Sequence, residues 1–218
     1  MVLKNGKKEQ ISFKMNIIIH PNYFPNIYQF SKLIKADNLI FEICDNYQKQ
    51  TYRNRTYIYG ANGKLGLYIP VIHTHKNRKL YKDIKISYDS DWMGLHLKSL
   101  QSAYRSSPYF EYYEDDFMKL YSEKEEFLVD FNFKCIKLIL NFLDININYK
   151  ITNEYMENSN NIIDLRSLSN ARKEIKIETP KYIQVFKSKF GYINNLSILD
   201  ILFNQGNNSI EKLRLIKD

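Results

Sequence analysis

The feature that most constrains the fold is a strand–helix–strand pattern between residues 16 and 44. A β-branched apolar run at 16–19 is typical of a buried strand, and His20 and Pro21 end it. A second apolar run at 39–44 predicts another strand. The segment between them, 26–36, carries apolar side chains on one helical face, at Ile27, Phe30, Leu33 and Ile34. Because two strands joined by one helix pair in parallel, the pattern predicts a βαβ unit in a single α/β domain with a mostly parallel sheet.

The rest of the chain predicts a helical middle and a C-terminal helix that packs back on this unit. Helical spacing covers 92–104, capped by Asp91, and 117–143, where an interruption near Ser122 stays open. A final helix is predicted at 196–204, with Asn194 or Asn195 near its cap. Strands are predicted at 65–71, 83–86, 145–151 and 182–186, and 52–59 fits a strand or a helix.

The organisation of the chain follows from these elements. Residues 152–180 are polar and poorly periodic, which predicts a flexible crossing segment. We therefore predict a flexible arm at 1–14, one α/β domain at 15–206 and a tail at 207–218.

The overall charge favours an anionic ligand. The chain of 218 residues carries a net charge of +8, which suits nucleic acid, anionic lipid or a nucleotide-activated sugar. The sequence has no run of five or more Lys or Arg residues, which argues against nucleic acid. A small anionic or sugar substrate is therefore the expected partner.

The cysteines and the hydropathy bear on localisation. Cys44 and Cys135 are the only cysteines, and they lie in apolar surroundings without a Cys-x-x-Cys spacing. This pattern is typical of reduced thiols in a cytoplasm. No apolar run approaches the roughly 20 residues that span a bilayer, and the polar start differs from a signal peptide. We expect a cytoplasmic protein without a membrane span.

The turn after the first strand is the strongest candidate for a ligand site. Ligands of open α/β sheets bind beyond the carboxyl ends of strands. There, two prolines, Pro21 and Pro25, restrict a turn to which His20, Asn22 and Tyr23 contribute polar side chains. A structural turn whose polar groups pair locally is the alternative. Asp45 closes the second strand. If the strands are neighbours, Asp45 and His20 form an acid–base or orienting pair; otherwise Asp45 is a cap or a surface charge.

Two further groups extend this candidate pocket. Asn54 lies between Arg53 and Arg55, of which one is expected to face solvent. Arg55 is the candidate for binding a phosphate or carboxylate. Trp92 and His96 lie one helical turn apart. They could form one side of a pocket for a sugar or a base, or they could belong to the core.

The remaining candidates carry weaker signals. Asp200 and Asn204 share one helical face and either complete the pocket or cap against the main sheet. His73 and His75 have the spacing of a metal-binding pair, but no third ligand has fitting spacing, so we expect an exposed loop and no metal site. Cys44 is expected to be a core thiol rather than a nucleophile.

Several short motifs recur along the chain in a set that is typical of one family. They are His-Pro-x-Tyr-Phe-Pro at 20–25, Ala36-Asp37, Asn54-Arg55, Pro70-Val71, Trp92, His96, Tyr104 and the closing motif at 196–206. With them the chain resembles the WbqC-like family of bacterial proteins over residues 15–150 and 181–206. Many family members carry Gln where this chain has His20, and residues 152–180 look like a shortened replacement for a longer region.

The family is associated with O-antigen and other surface-polysaccharide gene clusters. The resemblance therefore implies a transferase-like protein that adds a small group to a nucleotide-activated or phosphorylated sugar. It names no cofactor, so the cofactor is unknown. No familiar catalytic signature accompanies it, so a non-catalytic binding or assembly protein is the alternative. The catalytic candidates are Asp45 and His96, and the substrate-binding candidates are His20, Asn22, Tyr23, Asn54, Arg55, Trp92 and Asp200.

Overall fold

The computed structural model of the chain describes residues 15–72, 79–157, 161–173 and 175–217. The strands are β1 (Asn16–Ile19), β2 (Asn38–Phe41), β3 (Arg55–Gly60), β4 (Gly63–Tyr68), β5 (Tyr149–Ile151) and β6 (Ile163–Asp164). The helices are α1 (Ile27–Lys35), α2 (Trp92–Tyr104), α3 (Phe110–Leu120), α4 (Leu128–Phe142), α5 (Lys187–Phe190), α6 (Ile198–Gln205) and α7 (Ser209–Leu215).

The central sheet has the strand order β5-β2-β1-β6, and its three strand pairings are all parallel. β1 pairs with β2 over four residues, and α1 connects them, so the predicted βαβ unit and the α/β class are confirmed. Because the strands are parallel, their carboxyl ends meet at one edge of the sheet.

Local chemistry explains where α1 begins. The Asn26 side chain accepts a hydrogen bond of 2.9 Å from the backbone N–H of Gln29, which caps the helix. Pro25 immediately before this cap restricts the approach of the chain. The apolar side chains Ile27, Phe30 and Leu33 are at most 1% exposed, so the predicted face of this helix is the buried one.

A two-stranded antiparallel ribbon of β3 and β4 stands apart from the central sheet. It shows that the segment at 52–59 is extended from Arg55 onward. Gly63 follows the turn with φ of 101°, a backbone conformation that favours glycine. The strand predicted at 83–86 is wrong: a 3₁₀ turn occupies Tyr81–Asp83, and Lys85 and Ile86 form only isolated bridges to separate partners.

The helical middle is confirmed. Asp91 caps α2 by accepting a hydrogen bond of 3.0 Å from the backbone N–H of Gly94. The apolar pattern at 117–143 spans two helices, because α3 ends at Leu120 and α4 begins at Leu128. The interruption near Ser122 is therefore real.

Residues 152–180 contain more order than their composition predicts. β6 adds to the free edge of β1, and a 3₁₀ turn follows at Arg166–Ser169. The sequence gives no periodic signal because β6 has only two residues. The prediction of a flexible crossing segment did not include these two elements, of which β6 completes the sheet.

The alternation at 182–186 does not produce a strand. Tyr182 and Gln184 are buried, whereas Ile183 is exposed, so the side chains do alternate between inside and outside. No strand pairs with them in the described part of the chain. Their polar groups instead bind Asp200, which explains the one-sided burial.

The C-terminal helix α6 packs back on the βαβ unit as predicted. The backbone N–H of Ile27 donates to the Leu196 carbonyl at 2.9 Å, and that of Ile198 donates to the Pro25 carbonyl at 2.8 Å. The cap is Ser197 rather than Asn194 or Asn195, because the Ser197 hydroxyl accepts from the helix. Beyond Gly206, α7 lies against α1 and buries Leu213.

Candidate functional site

Three strand ends converge at the carboxyl edge of the parallel sheet. β1 leads into His20, β2 leads towards Asp45, and β6 ends at Asp164. They surround a cavity of about 490 Å³, here called the edge cavity. Its lining includes His20, Asp45, Arg53, Asp164, Arg166 and Ser169. The position agrees with the expected one for a ligand site in an open α/β sheet.

His20, Asp45 and Arg53 form a buried cluster in the lining of the edge cavity. The Asp45 Oδ2 atom lies 2.9 Å from His20 Nε2 and 2.7 Å from Arg53 Nη2. The side chains of His20 and Arg53 are 3% and 2% exposed, and that of Asp45 is 13% exposed. The carboxylate therefore joins two nearly enclosed groups and is itself the most accessible of the three.

Two groups compete for the Nε2 atom of His20. Asp45 Oδ2 and Arg53 Nη2 each lie 2.9 Å from it, and because a guanidinium only donates and a carboxylate only accepts, the first contact needs a protonated Nε2 and the second a bare one. On the other side of the ring, Nδ1 lies 3.0 Å from the Ser169 hydroxyl. Ser169, His20 and Asp45 thus form a continuous line of hydrogen bonds along the edge cavity.

The charges in this cluster follow from burial and from its neighbours. Burial and the Arg53 guanidinium lower the pKa of His20, despite the opposing hydrogen bond to Asp45. Partial burial raises the pKa of Asp45, but its hydrogen bond to His20 and the His20 and Arg53 charges outweigh burial and lower it overall. At neutral pH the cluster therefore holds a neutral imidazole, a carboxylate and a guanidinium.

Asn22 supports this cluster from behind. Its side-chain N–H group donates to the Ser169 hydroxyl at 3.0 Å and to Gln29 Oε1 at 3.1 Å, and Asn22 is fully buried. The predicted residue therefore lies beside His20, but it holds Ser169 in place rather than lining the cavity.

The opposite wall of the edge cavity is built around Arg166. Its guanidinium donates to both carboxylate oxygens of Asp164, at 2.9 and 2.7 Å. It also lies 3.5 Å from Glu42, a fully buried carboxylate. Glu42 accepts hydrogen bonds from the Cys44 backbone and the Thr152 hydroxyl. This network ties the ends of β2, β5 and β6 together.

Tyr23, Trp92 and His96 belong to a separate group. With Tyr121 and Phe131 they form an aromatic cluster in which the centroids of neighbouring rings lie 5.2 to 6.4 Å apart. The Tyr23 hydroxyl lies 2.9 Å from His96 Nδ1 and also contacts the Tyr121 hydroxyl. Burial lowers the pKa of His96 to about 4, despite its hydrogen bond to the Tyr68 backbone. Both ring nitrogens of His96 are engaged, and the edge cavity does not include it.

A second cavity of about 900 Å³ lies between β4 and α2, and we call it the ribbon groove. Its walls are largely apolar, with Leu67, Ile69 and Leu95 among them. Two predicted site residues, Asn54 and Trp92, line it, and each carries a buried polar atom without a hydrogen-bond partner. His96 also reaches this groove from the aromatic cluster.

The two arginines have different surroundings. Arg53 is 2% exposed and binds Asp45, whereas the half-buried Arg55 lies with its guanidinium 5.1 Å from the ring centroid of Tyr68. Arg53 is therefore not the solvent-facing member of the pair, and the anion-binding role of Arg55 stays a prediction. Since β3 begins only at Arg55, the alternation of a strand does not apply to Arg53.

Asp200 lies in neither cavity. It is fully buried and accepts hydrogen bonds from the Tyr104 hydroxyl at 2.7 Å, from Gln184 at 2.8 Å and from Tyr182. Burial raises the pKa of Asp200, and its three donors oppose this rise. The Asn204 side chain donates to the Asp200 backbone carbonyl at 2.7 Å. Asp200 therefore joins α6, α2 and the segment before α5.

Sequence reasoning missed Arg53, Ser169 and Arg166 as members of the edge cavity. Ser169 and Arg166 lie in the segment that gave no periodic signal, so only the pairing of β6 with β1 brings them to His20. Arg53 follows Tyr52, whose backbone bonds to Tyr23 and Ser169 bring Arg53 to the cavity, and these contacts leave no signal in the sequence.

Several predictions concern other parts of the chain. His73 and His75, and the arm at 1–14, lie outside the residues that the structure describes. Within 15–72, 79–157, 161–173 and 175–217, no three His, Cys, Asp or Glu residues are grouped as metal ligands. No helix in these same ranges has the length and hydropathy to cross a membrane. Cys44 and Cys135 are buried free thiols.

These elements define a single α/β domain with a mostly parallel sheet and a charged cavity at the carboxyl edge of that sheet. Within that class, the chain belongs to the WbqC-like protein family, whose model matches residues 20–176. The family predicted from the sequence motifs is thereby confirmed. The matched range contains the three strand ends and the segment up to Ser169, and it ends before α6. No curated protein and no solved structure matches the chain significantly.

Proposed function

We propose that this protein is a cytoplasmic, transferase-like enzyme that binds a nucleotide-activated or phosphorylated sugar in the edge cavity, within surface-polysaccharide biosynthesis. The charges of the cavity support an anionic substrate. Among the residues that the structure describes, its lining carries three cationic side chains and two carboxylates. The cations are Arg53, Arg166 and Lys173, and the carboxylates are Asp45 and Asp164.

The single observation that carries the proposal is the buried cluster of His20, Asp45 and Arg53 in the lining of this cavity. Burying three ionisable groups costs free energy unless they pair, and here one carboxylate oxygen serves both partners. The other oxygen, Asp45 Oδ1, and the Nε atom of Arg53 have no hydrogen-bond partner within the described part of the chain. A charged cluster with unused polar atoms beside a cavity is suited to a polar ligand.

The cluster also offers a route for a proton. When a sugar hydroxyl or amine attacks the transferred group, the acceptor loses its proton as the new bond forms and the donor bond breaks. A neutral imidazole can take that proton, and the adjacent Asp45 carboxylate stabilises the resulting imidazolium. Asp45 is thus proposed to act beside His20, while Arg53 and Arg166 hold the anionic part of the substrate.

A non-catalytic binding or assembly protein is the second candidate, and one observation favours it. Both nitrogens of His20 are already hydrogen-bonded, to Asp45 and to Ser169, and Arg53 disfavours its charged form. A histidine held in this way suits a rigid binding wall as well as a proton carrier.

The experiment combines binding and turnover. Thermal shifts of the full chain with nucleotide-sugars and sugar phosphates test the cavity, and NMR of the same sugars with acyl donors tests transfer. Asp45→Asn should retain binding but lose cellular function in complementation, whereas the exposed control Asp115→Asn should behave as wild type. The absence of any thermal shift would count against substrate binding. A fully functional Asp45→Asn variant would contradict the enzyme hypothesis and support the binding-protein hypothesis.

A further inference from the structure

The ribbon groove differs from the edge cavity in its chemistry. Among the described residues that line it, only Asp91 and Lys98 carry charges, and Asp91 is engaged as the cap of α2. Three apolar or aromatic side chains on its wall are exposed by 39 to 62%. They are Leu65, Tyr68 and Leu95. An apolar groove with almost no charge suits an uncharged ligand.

Two residues that line the groove carry buried polar atoms of opposite hydrogen-bonding capacity. Among the residues that the structure describes, the indole Nε1–H of Trp92 has no acceptor and the Asn54 Oδ1 atom has no donor. Trp92 is 3% exposed, and the other half of the Asn54 amide already donates to the Ile69 carbonyl at 3.0 Å. Leaving a buried donor and a buried acceptor unpaired is costly, so the pair needs an explanation.

We propose that the ribbon groove is a second ligand site, which takes an uncharged apolar ligand carrying a secondary amide. The amide carbonyl accepts from Trp92 and the amide N–H donates to Asn54, while the apolar arms lie along Leu67, Ile69 and Leu95. Both polar atoms are covered in the unliganded protein. Binding therefore requires the side chains that cover them to move.

The protein provides its own reporter for this site, because Trp92 is its only tryptophan. In ¹⁵N-labelled full-length protein, the single indole N–H resonance reports directly on the atom that the ligand should bind. The ligands are N-butylhexanamide and butyl hexanoate, which share their chain but differ in the N–H group, together with uridine. This measurement concerns the groove alone, so its outcome is independent of what the edge cavity binds.

We expect N-butylhexanamide to move the indole resonance saturably and butyl hexanoate to bind about tenfold more weakly, which corresponds to one lost hydrogen bond of about 1.4 kcal/mol. Leu95→Ala should also weaken amide binding about tenfold, whereas the matched variant Leu215→Ala, at an exposed leucine on α7, should leave it unchanged.

Three results would overturn the inference. The first is an indole resonance that does not move with the amide. The second is equal binding of the amide and the ester, which would show that Asn54 accepts no hydrogen bond from the ligand. The third is a response to uridine alone, which would assign the groove to a nucleoside.

Discussion

His20 and His96 are both buried imidazoles with lowered pKa values, yet their surroundings are of opposite kinds. His20 lies between a carboxylate and a guanidinium in the lining of the edge cavity. His96 lies between the Tyr23 hydroxyl and the Tyr68 backbone, within the aromatic cluster. One histidine is neutral beside two charges, and the other is neutral among neutral groups.

The difference shows how burial can serve two purposes. In the aromatic cluster, each polar atom of His96 has a neutral partner, so the group contributes to a rigid core at modest cost. In the cluster of His20, Asp45 and Arg53, charge is retained despite burial, which is expensive unless all partners remain in place. Variants that remove one partner at a time should therefore separate the two regions.

The largest effect is expected from removing the cation beside His20. Arg53→Met leaves the Asp45 carboxylate without its guanidinium, and we expect a loss of about 3 kcal/mol in the free energy of unfolding. Arg55→Met, at the half-buried neighbour without a carboxylate partner, should cost less than about 1 kcal/mol. Urea unfolding of both variants measures the difference. Equal losses would contradict the contrast between the two arginines.

The next effect concerns pH. An unfolded histidine takes up its proton near pH 6.5, whereas folded His96 remains neutral down to a pKa of about 4. Between these values the unfolded state binds more protons, so stability should fall as the pH is lowered, by up to about 3 kcal/mol for His96. His96→Gln keeps a donor and an acceptor but cannot titrate. From pH 7 to 4.5 the free energy of unfolding of the wild type should therefore fall relative to that of this variant. A difference that does not depend on pH would contradict the lowered pKa of His96.

A smaller effect should distinguish the two tyrosines that surround His96. Tyr23→Phe removes the donor to His96 Nδ1 and leaves the Tyr121 hydroxyl alone, so we expect a loss of about 1–3 kcal/mol. Tyr121→Phe leaves the bond between Tyr23 and His96 intact and should cost about 1 kcal/mol. Thermal unfolding of the two variants is the measurement. The reverse order would show that Tyr121, rather than Tyr23, holds the imidazole.

The smallest effect is expected at the rim of the ribbon groove, next to the aromatic cluster. Leu95 is 62% exposed, so Leu95→Ser should change the free energy of unfolding by no more than about 0.5 kcal/mol. Urea unfolding beside Leu215→Ser, at a leucine that is 69% exposed, provides the comparison. A large loss at Leu95 alone would place this side chain in the core.

The sequence predicted those parts of the fold that repeat a strong local pattern. The βαβ unit, α2 with its Asp91 cap, and the packing of α6 on the βαβ unit all follow from hydrophobic spacing over many residues. β6 did not follow, because two residues carry no period. The polar and apolar residues at 182–186 alternate although no strand forms. They alternate because Tyr182 and Gln184 are buried and bind Asp200.

Only the part of the candidate site that lies at the ends of two neighbouring strands could be predicted from the sequence. The pairing of β1 with β2 places His20 beside Asp45, as the sequence suggested. Tyr23 is only three residues from His20 but belongs to the aromatic cluster, because the turn directs the two side chains into different surroundings. Arg53 and Ser169 come from segments without regular structure at those positions, where spacing gives no direction for a side chain.

The pairing of β6 with β1 has a consequence for how the protein folds during synthesis. The βαβ unit is made first, but the other edge of β1 has no partner until residues 163–164 leave the ribosome. His20 likewise meets Ser169 across 149 residues of chain. Contacts of such long range form slowly, and an unpaired strand edge attracts other chains in the meantime. Nascent chains that stop before β6 should therefore aggregate or recruit chaperones, and the edge cavity should form among the last parts of the molecule.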